Sequence, residues 1–127
     1  MPSLYRTIFQ VTGLDPAVAF YSQLLGQPGR RVADTRHYFD CGPVILALVD
    51  EGANARPNPD YTYFATSELE ALHSRCRALD CLVAGDVHGE PAGEIAVRPW
   101  GERSFYARDP LGSGLCFVDE GTLFTGL

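Results

Sequence analysis

The chain runs through strand-like and helix-like patterning in two successive rounds. The first opens with T-I-F-Q-V (Thr7–Val11), a strand. A helix follows: Asp15 is placed to cap it, Pro16 suits its first turn, and Val18, Tyr21 and Leu25 make one apolar face. Gly26 and Gly29 bracket its exit. Three strands are predicted next, Arg31–Asp34, His37–Cys41 and Val44–Asp50, with Gly42-Pro43 turning the last pair.

The second round starts after EGANARPNPD, a polar connection rich in Pro, Asn and Gly. Tyr61–Thr66 reads as a strand, Ser67-x-x-Glu70 as a capping box, and Leu69, Leu72, Cys76 and Leu79 as a helical stripe. Strands are predicted at Leu82–Gly85, around Ile95–Val97, at Arg103–Arg108 and at Leu115–Asp119. The rounds also echo each other in sequence. A shift of 55 residues sets Thr7 on Thr62, Phe9 on Phe64, Leu14 on Leu69 and Leu24 on Leu79. A shift of 69 sets LALVDEG (Leu46–Gly52) on LCFVDEG (Leu115–Gly121). Two echoes framing one β-α-β-β-β order argue for a duplicated module.

Composition narrows the class of function. At 127 residues the chain has the size of one domain, and 46% apolar with 20% charged residues is an ordinary globular balance. No apolar run approaches the roughly 18–20 residues that span a bilayer. MPSLYRTIFQ lacks a basic start followed by an apolar block, so no secretory signal is expected and the cytoplasm is the expected location. All ten basic residues are Arg, against 16 acidic ones, for a net charge of −6. That field disfavours nucleic acid and accepts a neutral or cationic small ligand more easily. The four cysteines (Cys41, Cys76, Cys81, Cys116) form no C-x-x-C pair, which leaves little support for a zinc ribbon or a thioredoxin-like site.

Three stretches, VTGLDPAVAFYSQLLG, YFATSELEAL and PWGERSFYARDPLGSGLCFVDE, resemble the vicinal oxygen chelate superfamily. That group includes glyoxalase I, extradiol dioxygenases, fosfomycin-modifying enzymes and bleomycin-resistance proteins. The Phe-Tyr before Leu-Leu-Gly and the Asp-Pro-x-Gly turn are the most specific marks. The resemblance implies an α+β fold: one domain over 1–127 built of two tandem βαβββ modules (1–52 and 60–127, linked by 53–59). Their sheets would curl into a shared cup with helices outside, usually in a homodimer.

In metal-dependent relatives the ligands lie on the first and last strands of each module. Carried over, those positions are Arg6, Ala47, Tyr61 and Cys116. Arg and Ala offer no electron pair to a divalent metal, and a phenol titrating near ~10 is a poor ligand. The expectation is therefore no metal and no other cofactor, with a divalent metal as the alternative. His37, His73 and His88 are the only imidazoles, and no triple has ligand spacing. His73 is expected half-exposed on its helix, His88 solvated in a Gly/Pro-rich loop with Glu90, and His37 in a hydrogen-bonded structural role.

Strand alternation sorts the remaining residues. With Arg6 facing the cup, Ile8 and Gln10 face it too, while Thr7, Phe9 and Val11 pack on a helix. Tyr61 brings Tyr63 inward, and Cys116 brings Gly114 and Val118. The expected ligand-binding set is Arg6, Gln10, Ala47, Tyr61, Tyr63, Trp100 and Cys116, with Trp100 at the rim. The facing of His37, Phe39 and Tyr106 stays open. An inward Arg6 needs either a ligand carboxylate or an internal acid.

Three functions fit. The first is a metal-free protein binding a small aromatic or amphipathic molecule, as antibiotic-sequestering relatives do. The second is a metal-dependent lyase, isomerase or dioxygenase with a rearranged site recruiting His37 or His88. The third is metal-free catalysis with Tyr61 as acid/base or Cys116 as nucleophile, although no activating base for Cys116 is visible. The partners expected are a small molecule and a second copy of the chain, with no nucleic acid and no membrane.

Overall fold

The computed structural model describes residues 1–123. The chain divides into two compact units, Met1–Asn58 and Pro59–Leu127.

The first unit runs β1 (Arg6–Val11), α1 (Leu14–Leu25), β2 (Arg30–Ala33), β3 (Arg36–Cys41) and β4 (Val44–Asp50). Its four strands form one mixed sheet in the order β1-β4-β3-β2, with β1 parallel to β4 and the other pairs antiparallel. Alternation dictates the two faces. Phe9, Val11, Leu46, Leu48 and Phe39 are buried on the helix side with Leu14, Ala17, Tyr21 and Leu24 of α1. Tyr21 meets Phe9 and Phe39 at ring separations of 6.0 and 6.3 Å. Val18 and Leu25, expected in the apolar stripe, are half-buried at its margin. Gly29 must be glycine: at φ +62, an added Cβ would meet the Tyr38 carbonyl oxygen at 2.7 Å and His37 Nε2 at 2.8 Å.

Asp15 does not cap α1. Its carboxylate instead takes Arg31 at 3.2 Å. The capping comes from the neighbouring strand β4, whose last residue, Asp50, lies opposite Val11 and accepts from the backbone N–H groups of Gly52 (2.9 Å) and Gly13 (3.2 Å). Those bonds, and one from Leu14, hold its carboxyl below the ordinary range.

The second unit runs β5 (Thr62–Thr66), α2 (Leu69–Ala78), β6 (Asp86–Val87), β7 (Glu90–Pro91), β8 (Ala96–Val97), β9 (Arg103–Arg108) and β10 (Gly114–Asp119). Its main sheet repeats the first one's plan in the order β5-β10-β9-β8, with β5 parallel to β10. Phe105, Ala107, Leu115 and Phe117 are buried on the helix side, and Phe64 stacks on Phe117 at 5.1 Å. Asp109 of the Asp-Pro-Leu-Gly turn is buried, its Oδ1 accepting from Leu111, Gly112 and Ser113 at 2.9–3.0 Å. That turn sets the β9–β10 register.

Three expectations fail in this unit. The predicted strand Leu82–Gly85 shrinks to one bridge, Leu82 to Ala107, because the chain leaves the sheet edge to make the β6–β7 hairpin. It returns at Ala92, whose carbonyl accepts from Tyr106 N–H at 2.9 Å. The Ser67/Glu70 capping box does not form. Thr66 Oγ1 accepts from Glu68 N–H instead, and Glu70 pairs with Arg103 at 2.6 Å, which lowers its carboxyl below the ordinary range. His73 is buried, not half-exposed, because its ring reaches the Gly93 carbonyl at 2.7 Å and lies edge-on to Phe105.

Candidate functional site

Each sheet has one face against its helix and one without. On the first sheet the register puts Arg6, Ile8 and Gln10 of β1 on the helix-free face, with Ile45, Ala47 and Val49 of β4 beside them. Beyond those lie Asp40, Tyr38 and Arg36 of β3, in matching rows. His37 and Phe39 point the other way, into the helix side, and both are buried. His37 is thereby excluded as a recruited metal ligand on the helix-free face. Its Nε2 engages the Pro28 carbonyl at 2.9 Å, and its Nδ1 accepts from Arg31 Nε at 3.5 Å.

Arg6 is exposed and, among the described residues, forms no ion pair with an acid. Its Nη1 donates to the Tyr38 hydroxyl at 3.4 Å, and its guanidinium lies over the rings of Tyr5 (5.2 Å) and Tyr38 (5.7 Å). Gln10 is half-buried, and its Oε1 accepts from Arg56 N–H at 2.8 Å. Ala47 is fully covered.

On the second sheet the helix-free face carries Tyr61, Tyr63, Gly114, Cys116, Val118, Ser104 and Tyr106. Cys116 lies between Tyr63 of β5 and Tyr106 of β9, which settles the facing of Tyr106. Tyr63 is exposed, whereas Cys116, Tyr106 and Val118 are buried in a cluster with Ala92, and Tyr61, Val83 and Val87 pack against it. The chain between Leu82 and Arg98 thus covers a face that alternation alone would leave open. Tyr61 is half-buried, edge-on to Tyr106 at 4.8 Å, and its hydroxyl accepts from Arg108 at 3.0 Å.

Burial pushes the Cys116 thiol up to about 11; its hydrogen bond with Ser104, the charge of Arg98 and a bond with Tyr106 pull the other way but do not prevail. At neutral pH it is therefore a protonated, covered thiol. Burial, then a hydrogen bond with Tyr63, raises the Tyr106 phenol as well. Trp100, at the β8–β9 turn, is partly exposed; its Nε1 donates to Glu102 at 2.8 Å and its ring meets exposed His88 of the hairpin at 4.9 Å.

Sequence reasoning missed Arg98, which is buried beside this cluster. Its Nε donates to Ser104 Oγ (3.1 Å) and its Nη2 to the carbonyls of Glu94 (3.1 Å) and Ser104 (2.8 Å), while the guanidinium lies 5.0 Å from the Tyr106 ring centre. Nothing in Arg98-Pro99 signals burial. Arg36 and Tyr38 were also missed, although alternation from a strand starting at Arg36 assigns both to the face of Arg6.

The four positions that metal-dependent relatives use do not fit a divalent cation here. Arg6 brings a positive charge, Ala47 has no donor, the Tyr61 hydroxyl is held by Arg108, and the Cys116 thiol is protonated. Among the described residues, no group of three or more His, Cys, Asp or Glu is placed to hold a metal. Among them, too, no helix is long and apolar enough to cross a membrane.

Two α+β units of the same strand order, each with a helix on one face and a polar-aromatic surface on the other, define a class, and the chain's sequence agrees. Residues 4–117 match the family described as the Glyoxalase/Bleomycin resistance protein/Dioxygenase superfamily, and the chain belongs to it. Among solved structures it is similar to Oxidase ChaP-H1, at 21% identity and TM-score 0.76 over 94% of this chain and 96% of that one. It is also similar to a lactoylglutathione lyase from Agrobacterium tumefaciens, at 22% identity and TM-score 0.70 over 97% and 96% of the two chains. A glyoxalase/bleomycin resistance protein from Catenulispora acidiphila DSM 44928 gives 20% identity and TM-score 0.67 over 92% and 98%. Identities of this size show a common fold. No curated protein matches the chain.

Proposed function

We propose that this chain is a small-molecule-binding member of the superfamily that works without the divalent metal of its enzymatic relatives, as a homodimer in the cytoplasm. The observation behind this reading is the donor set at the four family positions: a cation, a methyl group, an engaged phenol and a protonated thiol. Capturing a ligand requires affinity and enough copies of the protein, and both survive the loss of every metal ligand.

Arg6 and Gln10 on the first sheet, and Tyr61 and Tyr63 on the second, supply polar-aromatic contacts of the kind that hold a flat or amphipathic molecule. Trp100 adds an aromatic edge. Ala47 and Cys116, both fully covered, shape those faces from beneath. Sequestration of an aromatic or glycopeptide antibiotic is one use consistent with such surfaces. The net charge of −6 speaks against nucleic acid and anionic membranes as partners.

The test has two parts. Protein purified without chelator is analysed for transition metals, and substoichiometric content is expected; a full equivalent per subunit overturns the metal-free reading. A thermal-shift screen with aromatic and glycopeptide antibiotics and smaller aromatic compounds is expected to find stabilising ligands. Failure of every compound overturns the binding reading.

A further inference from the structure

We infer that the helix-free face of the first sheet carries an oxyanion receptor, built by Arg6, Arg36 and Tyr38, that holds the carboxylate of an aromatic or amphipathic organic acid. This deepens the small-molecule reading and rests on it.

Two of the five arginines on this unit are ion-paired, Arg30 with Asp40 at 2.7 Å and Arg31 with Asp15 at 3.2 Å. Arg6 and Arg36 differ. Each donates from Nη1 to one neutral atom, the Tyr38 hydroxyl oxygen, at 3.4 and 3.1 Å, and among the described residues neither forms an ion pair. A guanidinium has five N–H donors and a phenol oxygen accepts about two bonds, so Tyr38 engages only a small part of the two arginines' donor capacity. Two cations drawn to one neutral oxygen also repel each other. A carboxylate there removes the repulsion and takes charge-assisted, two-point hydrogen bonds that the phenol cannot provide.

The register explains why the groups converge. Tyr38 shares a row with Ala47 and Ile8. Arg6 belongs to the row on one side, and Arg36 to the row on the other. Between β1 and β3, the middle of Tyr38's row is therefore only a methyl group. A longer side chain at position 47 would rise between Arg6 and Tyr38 and separate them. Asp40, in the row of Arg6, is the one carboxylate on β3, and Arg30 already holds it.

The surroundings suit an apolar body on the same ligand. Ile8 is 44% exposed on this face, and Tyr5, under the Arg6 guanidinium, is 62% exposed. The overall charge of −6 opposes anions at long range, but beyond roughly 8 Å it is screened at physiological salt, and the paired arginines decide the local field. The mean charge, which favours neutral or cationic ligands, is thus a poor guide at this face.

Benzoate, benzamide and benzamidine test the receptor, because they share a shape and carry −1, 0 and +1. Their affinities are measured calorimetrically on the whole protein at low and high salt. Benzoate is expected to bind at least about tenfold more tightly than benzamide, as one or two charge-assisted hydrogen bonds imply, and to weaken with salt. Arg6→Met and Arg36→Met, whose unfolding temperatures are checked first, should each cost benzoate about tenfold or more and cost benzamide markedly less. Benzamide or benzamidine binding as tightly as benzoate, or benzoate insensitive to both substitutions, overturns the receptor and leaves the small-molecule reading standing. Absence of binding by all three also overturns it; if the wider antibiotic and aromatic screen fails as well, both readings fall.

Discussion

Gly114 decides where Tyr61 lies, and one added methyl group tests that claim. An ideal Cβ at Gly114 would stand 2.5 Å from Tyr61 Cδ1, 2.9 Å from Cε1 and 3.0 Å from Cγ. Carbon atoms prefer about 3.5–4.0 Å, so in Gly114→Ala the ring must move by roughly 1 Å. The ring is rigid and Gly114 lies buried at the start of the inner strand β10, so the yielding partner is the half-buried tyrosine.

Its displacement forfeits the edge-on contact with Tyr106 at 4.8 Å, the hydrogen bond from Arg108 at 3.0 Å and the Arg108 cation over the ring at 5.0 Å. These contribute on the order of 1–3 kcal/mol together. For a domain of this size that is a fall in melting temperature of about 3–12 °C. Thermal and urea unfolding of wild type, Gly114→Ala, Tyr61→Ala and the double variant complete a cycle. In the Tyr61→Ala background the added methyl group meets no ring, so its cost should vanish. An unchanged melting temperature in Gly114→Ala, or the same loss with and without Tyr61, refutes the argument.

Other outcomes follow from the same geometry. Asp109→Ala removes the side-chain acceptor of three backbone N–H groups in the β9–β10 turn, of which only Gly112 keeps another, the residue-109 carbonyl at 3.0 Å, and should destabilise by about 1–3 kcal/mol, read from urea unfolding. Cys116 should resist iodoacetamide at pH 7 while half-buried Cys81, whose thiol is shifted down by its bond with Cys76, reacts first; peptide mapping of the labelled protein decides this. Because the folded Cys116 pKa is raised from 9.0 to about 11, its contribution to stability is complete below about pH 9 and lost between 9 and 11, a loss that Cys116→Ala should abolish. Asp50 has the opposite sign: its lowered carboxyl stabilises above the ordinary carboxylate range and stops doing so as pH falls through its folded value. Asp50→Asn should therefore lower the melting temperature at pH 7 and flatten the acid limb of the stability curve.

Periodicity along the chain determined the repeated β-α-β-β-β order and the two faces of most strands. Side chains alternate with a period of two, and a helix-backed sheet needs one continuous apolar face. Thr7-Ile8-Phe9-Gln10-Val11 and Leu115-Cys116-Phe117-Val118 therefore assign their own facing, whereas the donor-poor quartet Arg6, Ala47, Tyr61 and Cys116 was named only by the family resemblance. What no local pattern contains is the partner of a polar group across tens of residues. Asp50, 37 residues beyond Gly13 at the start of α1, displaced Asp15 as its cap. Arg103 took Glu70 out of its capping box, and Gly93 drew His73 into the core. The β6–β7 excursion buried Arg98 and Cys116 on a face that alternation leaves open. The pairing of Arg6 and Arg36 on one phenol likewise depends on strand register, which is a property of the assembled sheet and of no single segment.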